Sequence, residues 1–354
     1  MFALAADGKS LERIQYTPLA DWDLPSPEIA PGFNTRTNAD LVDSGGAQAL
    51  SAADIEAMKA EGAAGADIVA ALTANSATFA AKTEFSQDKY RKKKARKYIQ
   101  VATVRRPTAA AVCEAYFSTS PAKTAYLRAD ALALLLSLAN IGAHGRVLVV
   151  ENCGGLVTAA VAERLGGHGG VTSAWAGGKG TKQPSLAIWR HLNLSSAQRA
   201  AMRFTPLSEV LAECRQQQQQ EQAAEQAKNK QQHGEQQPPA GAAQLQQQQL
   251  QPPFNSCILA ATNLSPLALV RHVLPLLAPS ASLAVFCPWQ QPLAEAMDAL
   301  RGQGEVAGLA LHESWWREMQ VLPLRTHPTM NMSHGGGSIL SGTVLATDQQ
   351  RQQQ

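Results

Sequence analysis

The chain has 354 residues, enough for one large or two modest domains with a real hydrophobic core. Its apolar fraction is an ordinary 45%, charged residues make up only 17%, and the net charge of +3 says little about partners until its distribution is read. The five cysteines (Cys113, Cys153, Cys214, Cys257, Cys287) are scattered, odd in number and never at metal-ligand spacing. That pattern argues against a disulfide framework and fits a reducing compartment. No apolar run reaches the length of a spanning helix and no signal peptide opens the chain, so a soluble, intracellular protein with no membrane partner is expected.

Residues 1–37 carry Pro18, Pro25, Pro27, Pro31 and Gly32, which break any period, and an irregular tail is expected there. From Leu50 the pattern turns helical: Ser51 with Asp54 makes a capping-box start, and Ile55 and Met58 share a face. After Gly65, Ile68, Val69 and Leu72 mark a second short helix. Residues 38–106 thus form a small helical adaptor that ends in a basic segment. Helices are expected over 108–116 and 129–138.

Arg146–Glu151 is a short apolar run rich in Val, bounded by Gly145 and by Cys153, Gly154 and Gly155. A helical stretch from Leu156 to Leu165 follows, then Gly166 to Gly170, then a second strand from Val171 to Trp175. Strand, glycine turn, helix, glycine, strand is a βαβ unit. Residues 176–252 interrupt it; nearly half of those from Gln216 to Pro252 are Gln, and such a stretch buries too little apolar surface to offset its ordering entropy. It reads as a disordered insertion in a surface loop, with a partner-binding tract as the alternative. Strands and helices then alternate again: 256–261, 266–277, 282–287, 292–300, 305–311 and 337–345. The expected fold is α/β, a class I methyltransferase-like Rossmann domain over 107–347, with a Gln-rich tail at 348–354.

In such folds the loop after the first strand carries spaced glycines so that bare backbone approaches the cofactor, and an acidic residue ends the second strand. Here the loop reads Glu151-Asn-Cys-Gly-Gly-Leu156, without the spaced pattern, and the second strand ends at Trp175 with no carboxylate. Both features fail together, so the cofactor site reads as degenerate and Gly154–Gly155 as a tight turn. No catalytic, cofactor-binding or metal residue is assigned, and none of the eight histidines has a sequence-local catalytic partner.

Seven of the nine residues from Lys89 to Lys97 are basic (Lys89, Arg91, Lys92, Lys93, Lys94, Arg96, Lys97), and Arg105 and Arg106 follow. On a helix these charges cover most faces, which is unlike an amphipathic element packed on a core. A solvated charge run, a nuclear import signal and a phosphate clamp all fit this composition. In the last case, about five phosphate contacts would give a log–log salt slope of roughly −3.5 to −4.5. Tyr90 and Tyr98 can stack on bases or pack against the domain.

Several segments together resemble a known family. Asn38–Asp43, Ser86–Lys94, Cys113–Phe117, Leu127–Asp130, Val147–Glu151, Trp315–Pro328, Met330, Met332 and Gly335–Gly342 are similar to the non-catalytic subunit of the eukaryotic tRNA (adenine-58) N1-methyltransferase. The resemblance implies a tRNA-binding chain without a cofactor of its own. Its partner would be a catalytic subunit of similar fold that binds S-adenosylmethionine, in a nuclear heterotetramer of two of each chain. It marks Lys92, Lys93, Lys94, Arg96 and Lys97 as tRNA-contact residues, with Arg105 and Arg106 weaker, and leaves Arg325–Pro328 to the partner interface, the RNA groove or packing. It also implies an N-terminal β-barrel, whereas only 37 residues precede the match and they lack strand periodicity. The rival reading, an active S-adenosylmethionine-dependent RNA methyltransferase, rests on fold alone.

Overall fold

The computed structural model describes residues 2–4, 11–13, 46–99, 101–102, 104–176, 187–216, 254–321, 326–330 and 335–346. The chain divides into two compact units, Met1–Arg105 and Arg106–Gln354.

In the first unit, strand β1 (Phe2–Leu4) pairs antiparallel with both β2 (Leu11–Arg13) and β3 (Val101–Ala102). The opening segment, expected to be irregular, therefore contributes two strands. Each is three residues long, too short to show a period of two, and β3, the second partner of β1, lies almost a hundred residues downstream. Helix α1 (Ala52–Ala60) starts on the reciprocal box that its sequence implies: Ser51 N donates to Asp54 Oδ2 at 2.8 Å and Asp54 N to Ser51 Oγ at 3.2 Å. Helix α2 (Gly65–Ala74) buries Ile68 and Leu72, one turn apart on a single face. Helix α3 (Glu84–Tyr98) is capped by Thr83, whose hydroxyl accepts from Ser86 N.

The second unit opens with helices α4 (Ala109–Thr119) and α5 (Ala129–Leu138). Strand β4 (Arg146–Glu151), helix α6 (Leu156–Leu165) and strand β5 (Gly170–Trp175) then form the βαβ unit read from the glycine pattern. A 3-10 turn (Ile188–His191), helix α7 (Ser196–Ala200), strand β6 (Met202–Pro206) and helix α8 over 207–216 follow. After the Gln-rich stretch come β7 (Phe254–Ala260), α9 (Pro266–Val273), β8 (Leu277–Cys287), α10 (Gln290–Arg301) and β9 (Val306–Glu313). A ribbon of β10 (Met319–Gln320) and β11 (His327–Pro328) precedes the last strand, β12 (Ser338–Val344).

Seven strands join in the order β6-β5-β4-β7-β8-β12-β9. The β6-β5-β4-β7-β8 pairs are all parallel, while β12 runs antiparallel between β8 and β9. Numbered within the sheet this is 3-2-1-4-5-7-6 with the last strand reversed, the arrangement of a class I methyltransferase-like Rossmann fold. Alternation along the strands sorts the core into two layers. Val147 and Val149 of β4 pack with α4, α5 and α6 on one face, and Leu148 and Val150 pack with α9 and α10 on the other. All four are buried, each worth about 1.5–3 kcal/mol of burial.

The ordered sheet extends into the stretch assigned to the insertion. Between residues 187 and 216, Ile188, Leu192, Leu194, Leu207 and Val210 are core residues, and β6 is the third strand of the parallel half. Its sequence hides it: Met202-Arg-Phe-Thr-Pro206 buries only Thr205, and a proline is tolerated because the strand is at the sheet edge. The Gln-rich stretch proper, 217–253, and the tail at 348–354 lie outside the described residues.

Candidate functional site: the turn after β4 and the basic helix

Ligands of parallel α/β sheets bind beyond the carboxyl ends of the strands, so the turn from β4 into α6 is the first place to look. Glu151 ends β4 fully enclosed, 4% exposed. Its carboxylate accepts from Gly155 N (3.2 Å), Val157 N (3.3 Å), Thr158 N (2.7 Å) and Thr158 Oγ1. Thr158 Oγ1 in turn lies 3.0 Å from Ser173 Oγ on β5. Burial pushes the Glu151 carboxyl up, while the hydrogen bonds from Thr158, Val157 and Gly155 pull against that shift. The amides that make a helix N-terminus attractive to anions are thereby occupied from within the chain.

The turn itself is made by Gly154 and Gly155, at φ +70° and +87°, a left-handed pair that side chains rarely adopt. Bare backbone at Gly154 permits a close approach, and Ile188 makes it. A Cβ at Gly154 would stand 2.6 Å from Ile188 Cδ1, and Ile188 N donates to Gly154 O at 3.0 Å. The space a cofactor would need above this glycine is filled by a buried isoleucine. Asn152 closes the adjoining crevice between β4 and β7: its Nδ2 donates to Thr262 Oγ1 (3.1 Å) and its Oδ1 accepts from Thr262 N (3.2 Å). Cys153 is fully buried, and burial drives its thiol pKa well above the ordinary range, which makes it an inert packing group. At the end of β5, where a ribose-binding carboxylate would stand, the chain presents the indole of Trp175. These residues do not fit a nucleoside methyl donor.

The cations gather elsewhere. Lys89, Arg91, Lys92, Lys93, Lys94, Arg96 and Lys97 all lie on α3, but not equivalently. Lys89, Lys93, Arg96 and Lys97 are exposed and follow i, i+4, i+7, i+8 spacing, which puts them on one face. Arg91, Lys92 and Lys94 are half-buried. Arg91 covers the Phe79 ring at 5.2 Å, Lys94 the Tyr90 ring at 5.3 Å, and Lys92 pairs with Asp88 at 3.2 Å. Tyr90 packs on Phe79 (5.5 Å between ring centres) and accepts from Gln48 Nε2 at 3.2 Å. Lys59 and Lys97 both lie over the Tyr98 ring. The helix therefore does pack, against expectation, because long basic stems and two tyrosines substitute for an apolar stripe. Arg105 and Arg106 are exposed and lie outside the helix, Arg106 at the start of the second unit.

A family model described as the Gcd10p family matches residues 6–237, about two thirds of the sequence. The chain belongs to the Gcd10p family. The match takes in both the basic helix and the turn after β4. The chain is 32% identical to the tRNA (adenine(58)-N(1))-methyltransferase non-catalytic subunit TRM6 of Mus musculus, over 89% of this chain and 75% of that one. It is also 32% identical to the protein of that name from Dictyostelium discoideum, over 97% of this chain and 70% of that one. Among solved structures, an S-adenosylmethionine-dependent O-methyltransferase from Thermotoga maritima aligns with a TM-score of 0.45 at 13% identity, over 67% of this chain and 72% of that one. In this Gcd10p-family chain the decisive residue of the turn, Ile188, had no signal in the sequence, since it lies in a stretch without strand or helix period. A glycine at position 154 with an apolar residue some thirty positions later is too common a pattern to single out.

Proposed function

We propose that this chain is the non-catalytic, tRNA-binding subunit of a tRNA (adenine-58-N1)-methyltransferase. It holds no S-adenosylmethionine of its own and works in the nucleus with a catalytic subunit that does. Two copies of each chain form the working assembly. The observation that carries this reading is the contact of Ile188 with Gly154 in a member of a family whose named relatives are non-catalytic subunits. Glu151, Asn152 and Trp175 support it, because each uses or blocks a position that a donor would need.

The chain's own work is to hold RNA. The exposed face of Lys89, Lys93, Arg96 and Lys97 offers four cations to phosphates. Recognition then runs through backbone and shape, and four contacts give a salt slope of about −3 to −3.5.

Two measurements test the reading together. Calorimetric titration of the isolated chain with S-adenosylmethionine should give no saturable heat. Methyl transfer to a tRNA transcript should require both this chain and the catalytic chain. Micromolar donor binding, or methylation by this chain alone, would establish the active-enzyme alternative instead.

A further inference from the structure

From Arg164 to Ser208 the sequence holds no Asp or Glu, but six Lys or Arg: Arg164, Lys179, Lys182, Arg190, Arg199 and Arg203. This span alone exceeds the +3 net charge of the whole chain. Its described part from Ala187 to Ala200 runs the length of helix α6. Ile188 N donates to Gly154 O just before the helix begins, and Gln198 Nε2 donates to Glu163 O near its end. Beyond the end, a Cβ on Gly167 would stand 2.9 Å from that of Ala197. At 1.5 Å per residue the track is about 15 Å long. Ile188, Leu192 and Leu194 are buried along it, while Arg190, His191 and Arg199 are exposed. Asn193 N donates to Pro107 O at 3.4 Å, which brings the backbone next to the exposed Arg106 onto the same track.

The acids that border the track are engaged. Glu163 accepts from Ala109 N at 2.9 Å and Glu209 from Thr205 Oγ1 at 2.7 Å. Glu213 holds Arg203 in a two-point ion pair, which removes that arginine from the free set. Glu114 stands two residues from Tyr116, on the opposite side of α4. The cations are also seated. Trp189 packs on the core and stacks on Phe204 of β6, with 6.1 Å between ring centres and 29° between planes. Arg190 lies over the Trp189 ring at 5.7 Å, and His191 meets the Tyr116 ring at 6.1 Å. A guanidinium resting on a fixed indole keeps its N–H edge for phosphate and loses little rotamer freedom on binding. Charge of one sign along a track, interleaved with aromatic rings, suits a nucleic-acid strand.

We infer that the track of Arg106, Arg190, His191 and Arg199 is a second RNA-binding surface, carried by the Rossmann unit and taking the phosphate backbone of an RNA strand. This rests on the tRNA-binding function proposed above and adds a site outside α3. Its three arginines add about 2 to 2.7 units to the salt slope expected from α3 alone.

The test uses the full chain assembled with the catalytic chain. The dissociation constant for a tRNA transcript is read from 50 to 200 mM salt, with assembly and thermal midpoint recorded beside it. Arg106→Ala, Arg190→Ala and Arg199→Ala together should make the slope shallower by about 2 to 2.7 units, a roughly 15- to 40-fold share of the fall in affinity over that range. Assembly and midpoint should not change. An unchanged slope at the wild-type midpoint, with the α3 variant still flattening it, overturns the track and leaves the function intact. Weakened assembly with an unchanged slope overturns it in favour of an acidic protein partner. If uncovering Trp189 lowers the midpoint, Arg106→Ala with Arg199→Ala decides alone: a loss of about 1.4 to 1.8 units is expected, and no loss overturns the track. If the wild-type complex binds no tRNA at any salt, the function itself has failed and the track with it.

Discussion

The turn after β4 and helix α3 use charge in opposite ways. At the turn one carboxylate is enclosed and its oxygens are spent on the amides of α6 and the hydroxyl of Thr158. On α3 four cations face outward while their neighbours are occupied with Phe79, Tyr90 and Asp88. A carboxylate whose hydrogen bonds are made internally contributes stability, although the buried indole N–H of Trp175 beside it has no partner among the described residues. A region that leaves like charges on one face loses a little stability and gains a surface that needs a partner. The Rossmann frame keeps its architecture with Ile188 packed against the glycine turn, and the exposed cations of α3 lie in the other unit.

Breaking the first region should cost the most. Glu151→Ala leaves three buried amides and a hydroxyl without this acceptor and opens a hole beneath α6. A loss of about 3–5 kcal/mol is expected in the free energy of unfolding, read from denaturant midpoints. A loss below about 1 kcal/mol would mean that water reaches the turn and that the site is less closed than described.

The second region should respond in affinity and not in stability. Replacing Lys89, Lys93, Arg96 and Lys97 by Ala should flatten the salt dependence of tRNA binding by about 3 units of slope. Between 50 and 200 mM salt those four contacts account for a roughly 60-fold fall in affinity, which the variant should no longer show. Replacing the three inner cations, Arg91, Lys92 and Lys94, should lower the stability of the first unit instead. If the inner set controls the salt slope, the outward face has been misassigned.

How far these regions could be read from sequence follows from what each is made of. Strand β4, the glycine turn and α6 were legible because a β-rich apolar run, two adjacent glycines and a helical period occur within twenty residues. The missing carboxylate at Trp175 was legible for the same reason. The plug was not, since Ile188 reaches Gly154 across a segment with no period, and tertiary contact alone defines it. The basic segment was visible as composition, but its division into an exposed face and a packed face depends on Phe79, Tyr90 and Asp88 as neighbours. Strand β6 was hidden because an edge strand can carry Arg203 and Pro206 and bury one residue. Strands β1 and β2 were hidden by their length.

A smaller effect sharpens the account of the turn. Gly154→Ala adds a methyl at φ +70° and 2.6 Å from Ile188 Cδ1, so backbone strain and overlap act together. About 2 kcal/mol of destabilisation is expected. Pairing it with Ile188→Ala separates the two causes: the double variant should recover the overlap part and keep the strain part. Full additivity of the two losses would mean that Ile188 does not occupy the space above Gly154.

The smallest effect belongs to Asp88, and it bears on the boundary between the two uses of charge. Asp88 and Lys92 form an i, i+4 pair with side chains 19% and 31% exposed, so the pair is worth about 0.3–0.5 kcal/mol to the helix. Asp88 is also the acidic side chain that directly precedes the basic run, and it would repel a phosphate approaching α3. Asp88→Asn therefore has two predicted signs: a slight loss in the thermal midpoint of the first unit, and a gain in tRNA affinity of a few-fold at low salt that vanishes as screening increases. A midpoint shift without the affinity gain would make the Asp88–Lys92 pair purely structural and confine RNA contact to the outer face. An affinity gain that persists at high salt would instead require a direct hydrogen bond from the new amide, and Lys92 would then belong to the RNA surface as well.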